Sequence, residues 1–501
     1  SVARHDHYSN QAFLQCLSTI STITYTPSNA SYSTILQFTI RNTRFALPSI
    51  PKPIAIITPS HEYQVQPVIY CSRKHGLQIR VRSGGHDYEG LSFTSQESFV
   101  LIDLINLNAV DVDATSATAW VQSGATIGEL YYRISEKSQT LGFPAGTWHT
   151  VGVGGHLSGG GQGTLVRKYG LSADNIVDAR LVDVNGRILD RKSMGEDLFW
   201  AIRGSGGASF GVILAWKVKL VPVPETVTVF TITRTRDNEN VTARLIHRWQ
   251  YVAHKLQRDL FIRIIINRGV CYFNSLFVGG VDKLLSVVQK NFPELGLVAG
   301  DCTEMRWIDS VYYFSGLVRG GPLEGLRNRT SSLKRYFKGK SDYVTKPIPM
   351  EAIQGLWKFL DEPEARTAGW AFTPYGGRMS EIPESELPFP HRAGNIYSID
   401  HMMYWVDEGK QESEKHIDWI RKVYKFMTPY VSKTPRAAYI NYKDLDLGVN
   451  KKKGNTSYAQ ASVWGKKYFK TNFHRLAQVK TTVDPTNFFR NEQSIPLLSK
   501  R

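Results

Sequence analysis

Two glycine-rich stretches hold the residues whose chemistry is easiest to name. In Arg80-Val81-Arg82-Ser83-Gly84-Gly85-His86-Asp87-Tyr88-Glu89-Gly90 a histidine sits in a glycine turn between a serine, an acid and a phenol. In Gly152-Val153-Gly154-Gly155-His156-Leu157-Ser158-Gly159-Gly160-Gly161-Gln162-Gly163 glycine takes seven of twelve positions. Glycine loses more backbone entropy on ordering than any other residue, so a folded chain keeps such a cluster where the backbone passes close to another group or takes positive φ. Amide N–H groups uncovered by side chains suit a diphosphate. The spacing is neither a Rossmann GxGxxG nor a Walker loop. The other reading is a flexible linker, but the flanks Leu141-Gly142-Phe143-Pro144 and Leu165-Val166-Arg167-Lys168-Tyr169-Gly170 are core-like. His86 alone reads as either a hydrogen-bonded loop imidazole or a reactive one.

Short apolar runs bounded by turn residues position these clusters. Ile79–Arg82, Phe99–Ile102 and Ala179–Val182 read as strands, and Thr126–Ser135 has apolar residues at helical spacing. Ser193-Met194-Gly195-Glu196 opens a second helical stretch with a capping-box pattern. From about Val227 the texture changes to alternating segments, Val227–Ile232 and Leu260–Ile266, separated by helical stretches such as Gln411–Met427. That pattern predicts a second domain built on an antiparallel sheet. No linker or internal repeat separates the parts, so a broad interface and a cleft along it are expected.

The 501 residues allow two to three domains and a large buried core. With 42% apolar and 21% charged residues the chain has ordinary globular usage, and no segment approaches the roughly eighteen unbroken apolar residues of a membrane span. The formal charge of +17 is scattered, its tightest run being Lys451, Lys452 and Lys453, which excludes a nucleic-acid reading and suits an anionic matrix or vacuole. Four cysteines do not make a disulfide framework of the small secreted type, and no zinc or other metal spacing is present. Sequons stand at Asn29, Asn240, Asn328 and Asn455, and the chain opens on Ser1-Val2-Ala3-Arg4 without an apolar h-region. Both fit a mature product of the secretory path, extracellular or vacuolar.

Taken together, the two clusters resemble the berberine bridge enzyme-like family of plant flavoproteins, which share the vanillyl-alcohol oxidase type of FAD-binding fold. The resemblance runs through Ser193–Gly204, Pro388-Phe389-Pro390-His391-Arg392, Asn441-Tyr442-Lys443-Asp444-Leu445-Asp446-Leu447-Gly448 and Asp484–Ile495. It implies an α+β fold: a two-part FAD-binding domain over residues 1–226, a substrate domain over 227–429 whose antiparallel sheet is covered by helices, and a segment 430–501 returning to the first. It also implies FAD, bound by Ser83, Gly84, Gly85, Gly152, Gly154, Gly155, His156, Gly159, Gly160, Asn441 and Tyr442 and joined to His86, and a disulfide between Cys16 and Cys71 that leaves Cys271 and Cys302 unpaired.

Departures from the family pattern sharpen the expectation. Many relatives attach the flavin a second time through a cysteine in Gly-x-Cys-Pro-Thr-x-Gly-Val-Gly-Gly, where this chain reads Gly146-Thr147-Trp148-His149-Thr150-Val151-Gly152-Val153-Gly154-Gly155. An indole forms no thioether, so a single link through His86 is expected; Trp148 either remodels the active-site wall or fills core space. Val151 stands where the family controls access of dioxygen, and a small residue there resembles the oxidases. Tyr442 matches a tyrosine base, which at an unperturbed pKa of about 10 needs a neighbouring cation, from Lys443 or the flavin environment. Lys443 replaces the usual arginine and loses its bidentate geometry. In Ile396–Trp405, alternation puts Ser398, Asp400 and Met402 on one face of a strand. Asp400 is a general base, a polar anchor for a phenol, or a surface carboxylate; Tyr88, Tyr375 and His156 are further pocket candidates by position.

Three activities follow from the resemblance. The first is an oxidase that oxidises or oxidatively cyclises a phenolic or prenylated plant substrate with dioxygen as acceptor. The second is a non-redox cyclase, a Diels-Alderase, whose wall is altered at Trp148, His149, Asp400 and His401. The third is a carbohydrate or monolignol oxidase. In each the partner is a small molecule and the protein a monomer.

Overall fold

The computed structural model describes residues 2–236, 239–331, 334–406 and 409–499. Its first sheet is centred on Phe99–Asp103, paired in parallel with Gln78–Arg82 and Ile56–Ile57, with Thr24–Tyr25 antiparallel at the edge. All five residues of Phe99–Asp103 are buried, which is why Phe99–Ile102 is an unbroken apolar run rather than an alternating one. The disulfide Cys16–Cys71 joins the helices Val2–Cys16 and Gln66–Lys74 that pack beside it, and Cys271 and Cys302 are free. A second, five-stranded antiparallel sheet runs Val110–Asp113, Thr118–Gln122, Val212–Lys219, Ile176–Val182, Ile188–Leu189. The helix Ile127–Lys137 begins at Thr126, whose hydroxyl accepts the Glu129 N–H, and it buries Ile127, Leu130, Tyr131 and Ile134. One expectation shifts by three residues: the capping box is Asp190 with Ser193, and the following helix Glu196–Ala201 starts from Gly195 at φ +83° with no side-chain cap.

The third sheet has seven antiparallel strands in the order Cys302–Met305, Val227–Thr235, Val270–Phe277, Leu260–Asn267, Ala368–Pro374, Tyr397–Trp405, Tyr336–Val344. Alternation divides its faces. Ile262, Ile264, Phe372, Ile399 and Met403 face one way and share a core with Trp249, Leu356, Trp357, Trp419 and Ile420 of the helices Glu239–Val252, Met350–Phe359 and Lys410–Phe426. Emptying the Trp419 position with alanine would cost about 3–5 kcal/mol. Phe261, Leu276 and Tyr343 point the other way, into the core that also holds Leu157, Phe199 and Trp216. The chain after Tyr430 returns to that core through Tyr458–Phe469 and Asn472–Val483, which bury Trp464, Tyr468, Phe473 and Leu476. No helix among the described residues is long and apolar enough to cross a membrane.

Candidate active site

The two glycine clusters interlock. A Cβ on Gly84 would strike the Gly152 amide, and one on Gly152 would strike the Ser83 hydroxyl, so neither position tolerates a side chain. Ser83 Oγ donates to the Ser123 carbonyl (2.5 Å) and accepts the Gly154 N–H (3.3 Å). Gly85 takes φ +75° against the Thr39 carbonyl. Gly155, in contrast, is exposed and a Cβ there would meet nothing within 4 Å. The clusters therefore leave the backbone bare and open at Gly155 beside a locked stretch, as close approach of a diphosphate requires. Asn441 fills the space over Gly159 and donates to the His156 carbonyl (3.0 Å), and Tyr439 OH accepts the Gly161 N–H (2.8 Å); both tie the C-terminal segment to the glycine loop. Gly160, at φ +131°, lies against Phe389.

His86 lies beside the locked part, its Nε2 2.8 Å from Thr150 Oγ1. Burial, then the charges of Arg41 and His149, push its pKa down to about 3, so the imidazole is neutral and keeps a nucleophilic lone pair across the ordinary pH range. His156 is held for structure: its Nε2 accepts the Gly146 N–H (2.9 Å), and burial lowers its pKa to about 4. Trp148 is 43% exposed, which removes the core-filling reading, whereas its neighbour His149 is buried. Val151 is half-buried against the core that contains Val153 and Leu157.

Opposite this wall stands the inner face of Tyr397–Trp405, with Ser398, Asp400 and Met402. The neighbours of Asp400 in register are Ala371 and Ser341, and those of Met402 are Gly369 and Gly339, so small residues surround the carboxylate. Asp400 Oδ2 accepts from Tyr88 OH (3.1 Å), while Oδ1 is buried with no hydrogen-bond partner. Burial raises its pKa to about 8, against the pull of the Tyr88 hydrogen bond. The Tyr88 ring stacks on Tyr442 with centroids 5.3 Å apart and planes 13° apart. Gln162 Nε2 lies 3.5 Å from Tyr442 OH and 3.3 Å from Ser398 Oγ, with its amide oriented by Tyr375 OH donating to Oε1 (2.6 Å). Tyr375 is thus buried one layer behind Tyr442. Burial holds the Tyr442 phenol well above its ordinary value, and the Asp400 charge adds to this.

Two site residues were not singled out from sequence. One is Gln162, the amide that ends the second glycine run. The other is Arg263, whose buried guanidinium donates through Nε to Asn274 (2.8 Å), lies 5.5 Å over Phe314 and pairs with no carboxylate among the described residues. Burial lowers its pKa to about 10, and the Tyr442 and Tyr313 phenols act in the opposite direction, so Arg263 is the cation near Tyr442. A lone charge inside the apolar run Leu260–Ile266 was its only sequence signal. Lys443 instead lies 3.5 Å from Asp87. His401 is corrected as well: it points to the helix side, where Nε2 lies 2.9 Å from Asp342 and Nδ1 accepts from Trp370 Nε1 (3.0 Å), so it forms no part of the wall.

The profile of the FAD binding domain matches residues 53–191, which include both glycine clusters, and that of berberine and berberine-like proteins matches 438–496, which include Asn441 and Tyr442. Tetrahydroberberine oxidase of Berberis wilsoniae is 52% identical over 502 residues, 97% of this chain and 94% of that one. The chain belongs to the berberine bridge enzyme-like family. The solved structure of the Arabidopsis thaliana berberine bridge enzyme-like protein 28 superposes with a TM-score of 0.94 at 50% identity, covering 98% of this chain and all of the other. A grass pollen allergen with glucose dehydrogenase activity, Phl p 4, does so at 0.94 and 46% identity, covering 97% and 100%. This is an FAD-linked oxidoreductase with the α+β fold of that family.

Proposed function

We propose that the enzyme oxidises a hydroxyl-bearing small molecule, a plant phenol in the first instance, with Asp400 as the base. The observation that carries this reading is the unpartnered Asp400 Oδ1: a buried acceptor among small residues, in a group whose pKa of about 8 lies near the working range. Tyr442, held well above 10, stays protonated at neutral pH and is the less available base. FAD, when bound, takes two electrons from the substrate and passes them to dioxygen. Asp400 accepts the hydroxyl proton on Oδ1, Tyr88 orients the carboxylate through Oδ2, and Arg263, Gln162 and Tyr442 set the polar boundary. His86 is the single covalent anchor for the flavin, with Trp148 in place of a second, and its neutral imidazole supports that role.

Val151 supports dioxygen as the acceptor. Wild-type Phl p 4.0202 is described as a glucose dehydrogenase, whereas variants with an isoleucine replaced by valine are described as glucose oxidases. In the double variant, a second change from asparagine to histidine lies five residues later. Val151 and His156 have the same two residue types at the same spacing. A polyol is a second substrate reading, favoured by the ladder in which Arg263 donates to Asn274 and Asn274 to Thr231 (2.9 Å) across the inner sheet face. The disulfide and the four sequons support passage through an oxidising compartment and release of a glycoprotein outside the cell or into a vacuole.

The test is anaerobic mixing of the yellow protein with coniferyl alcohol, other plant phenols, dienes and glucose, following flavin absorbance and product together. Bleaching in step with product, reversed by air with peroxide release, is the expected result. Product formed under a flavin that stays oxidised would overturn oxidation in favour of cycloaddition.

A further inference from the structure

Tyr88 and Tyr442 come from opposite ends of the chain, and both are followed closely by a buried acid. Glu89 is adjacent to Tyr88, and Asp444 lies two residues beyond Tyr442. Between the two acids stands Lys338, from the edge strand Tyr336–Val344, its ammonium 3.2 Å from Glu89 Oε2 and 2.9 Å from Asp444 Oδ1. All three side chains are almost wholly enclosed. Glu89 Oε2 also accepts the Leu445 N–H (3.1 Å), so the segments of the two tyrosines are joined directly as well as through the lysine. Next to Lys338 the strand supplies Gly339, where any Cβ would run into the Tyr88 ring, and Phe337, edge-on to that ring at 4.5 Å.

We propose that Lys338 is a positioning residue for the active site: by joining Glu89 to Asp444 it fixes Tyr88 against Tyr442 and so keeps the Tyr88 hydroxyl on Asp400. This role rests on Asp400 being the base. The physical ground is the behaviour of two buried carboxylates on either side of one ammonium. The ammonium draws both carboxylates to one point; without it the two lose their shared partner and nothing holds them together across the gap. The other charged or titratable groups facing the acids are Lys340, 2.9 Å from the second Asp444 oxygen; Arg44, 3.7 Å from Glu89; Asp446, bound by Lys340 and Arg421; and Tyr468, whose hydroxyl accepts the Asp444 N–H (3.0 Å). None of them joins Glu89 to Asp444.

A pH–rate profile of the holoenzyme, with coniferyl alcohol and glucose as probes, tests the assignment. The wild type gains rate as Asp400 ionises. Lys338→Met should lower kcat about tenfold at pH 8, with KM changed less than about twofold. Its rising limb should move to higher pH, because Asp400 loses the Tyr88 donor that favours its ionised form. Tyr88→Phe should move the limb equally, the double variant no further, and Lys338→Arg should restore the wild-type profile. Glu89→Gln, which keeps volume and the lysine's tie to Asp444, should shift the limb in the same direction even if Lys338→Met folds poorly. A uniformly lowered profile of wild-type shape in both variants, or a further shift in the double variant, would overturn the proposal. Asp400→Asn separates the two ideas: a limb that survives in it sinks the base assignment, whereas a limb lost there but unmoved in the Lys338 and Glu89 variants sinks only the positioning role.

Discussion

Asp400 and His401 are neighbours on one strand, both ionisable and both buried, yet they are used in opposite ways. His401 faces the helices, where both its ring nitrogens are matched: Trp370, which can only donate, claims Nδ1, so the proton lies on Nε2 and goes to Asp342, which Arg436 grips through two further bonds (2.7 and 2.8 Å). Asp400 faces the other way, toward Tyr88, with one oxygen bound and one bare. A buried polar atom without a partner costs about 1–3 kcal/mol, more if charged, and a fold retains one where something else makes use of it. The difference is one residue of strand register, and it separates a group whose polar atoms are all matched from one left with a bare acceptor, the atom proposed to react.

Breaking the reactive side should give the largest effect on rate. Asp400→Asn keeps the shape and the Tyr88 contact but removes the base, and kcat should fall about 10²–10⁴-fold. Its thermal midpoint should hold or rise, since the change removes a strained charge. An Asp400→Asn enzyme of near wild-type rate would leave Tyr442, with Arg263 beside it, as the base. Breaking the satisfied side should do the reverse. Asp342→Ala leaves Arg436 and His401 without their acceptor inside the core, and denaturant titration should show a loss of about 3–5 kcal/mol. The activity of whatever fraction stays folded should be unchanged; a specific loss of rate would mean the two faces are coupled.

The same pair differs in pH behaviour. The folded-state pKa of Asp400, about 8, lies above the ordinary carboxylate value, so its contribution to stability is complete below about pH 4 and is lost as pH rises through about 8. The wild-type melting temperature should therefore fall between about pH 4 and pH 8 and level off above, and Asp400→Asn should flatten that slope. A slope of equal size in the variant would place the titrating group elsewhere. A smaller effect is expected at Arg263. Arg263→Gln keeps a donor for Asn274 but removes the charge near Tyr442, and if that charge only sets the polar boundary the rate should drop about tenfold with KM rising in parallel.

What the sequence revealed, and what it withheld, follows the same division. The glycine clusters were legible because their cause is local: a bare backbone must be written as glycine. Gln78–Arg82, Phe99–Asp103 and the alternating strands after Val227 were legible from period and length. The placing of Ser398, Asp400 and Met402 on one face also followed from period, and the same alternation should have turned His401 away. Arg263 and Gln162 escaped notice because their role depends on cross-strand and cross-domain neighbours: Asn274 and Thr231 by sheet register, Tyr375 and Tyr442 by the docking of distant segments. Lys443 shows the converse, since its closeness to Tyr442 in sequence gave it a role that its side chain, turned to Asp87, does not take.

Trp148 offers the smallest effect and the finest test of the flavin side. Its indole is 43% exposed, so Trp148→Ala should change stability by no more than about 0.5 kcal/mol, as an exposed position does. A loss of several kcal/mol would mean that the ring packs against neighbouring groups and would restore the core-filling reading. Trp148→Cys asks more. If the backbone from Gly146 to Gly155 still runs where relatives carry their second link, the variant should keep its flavin through denaturation even when His86 is replaced by alanine. The His156–Gly146 hydrogen bond and the locked Gly84–Gly152 approach hold that backbone from both ends, and they favour the cysteine arriving in place. Flavin released from the double variant would show that His149 and Trp148 came with a shift of the segment itself.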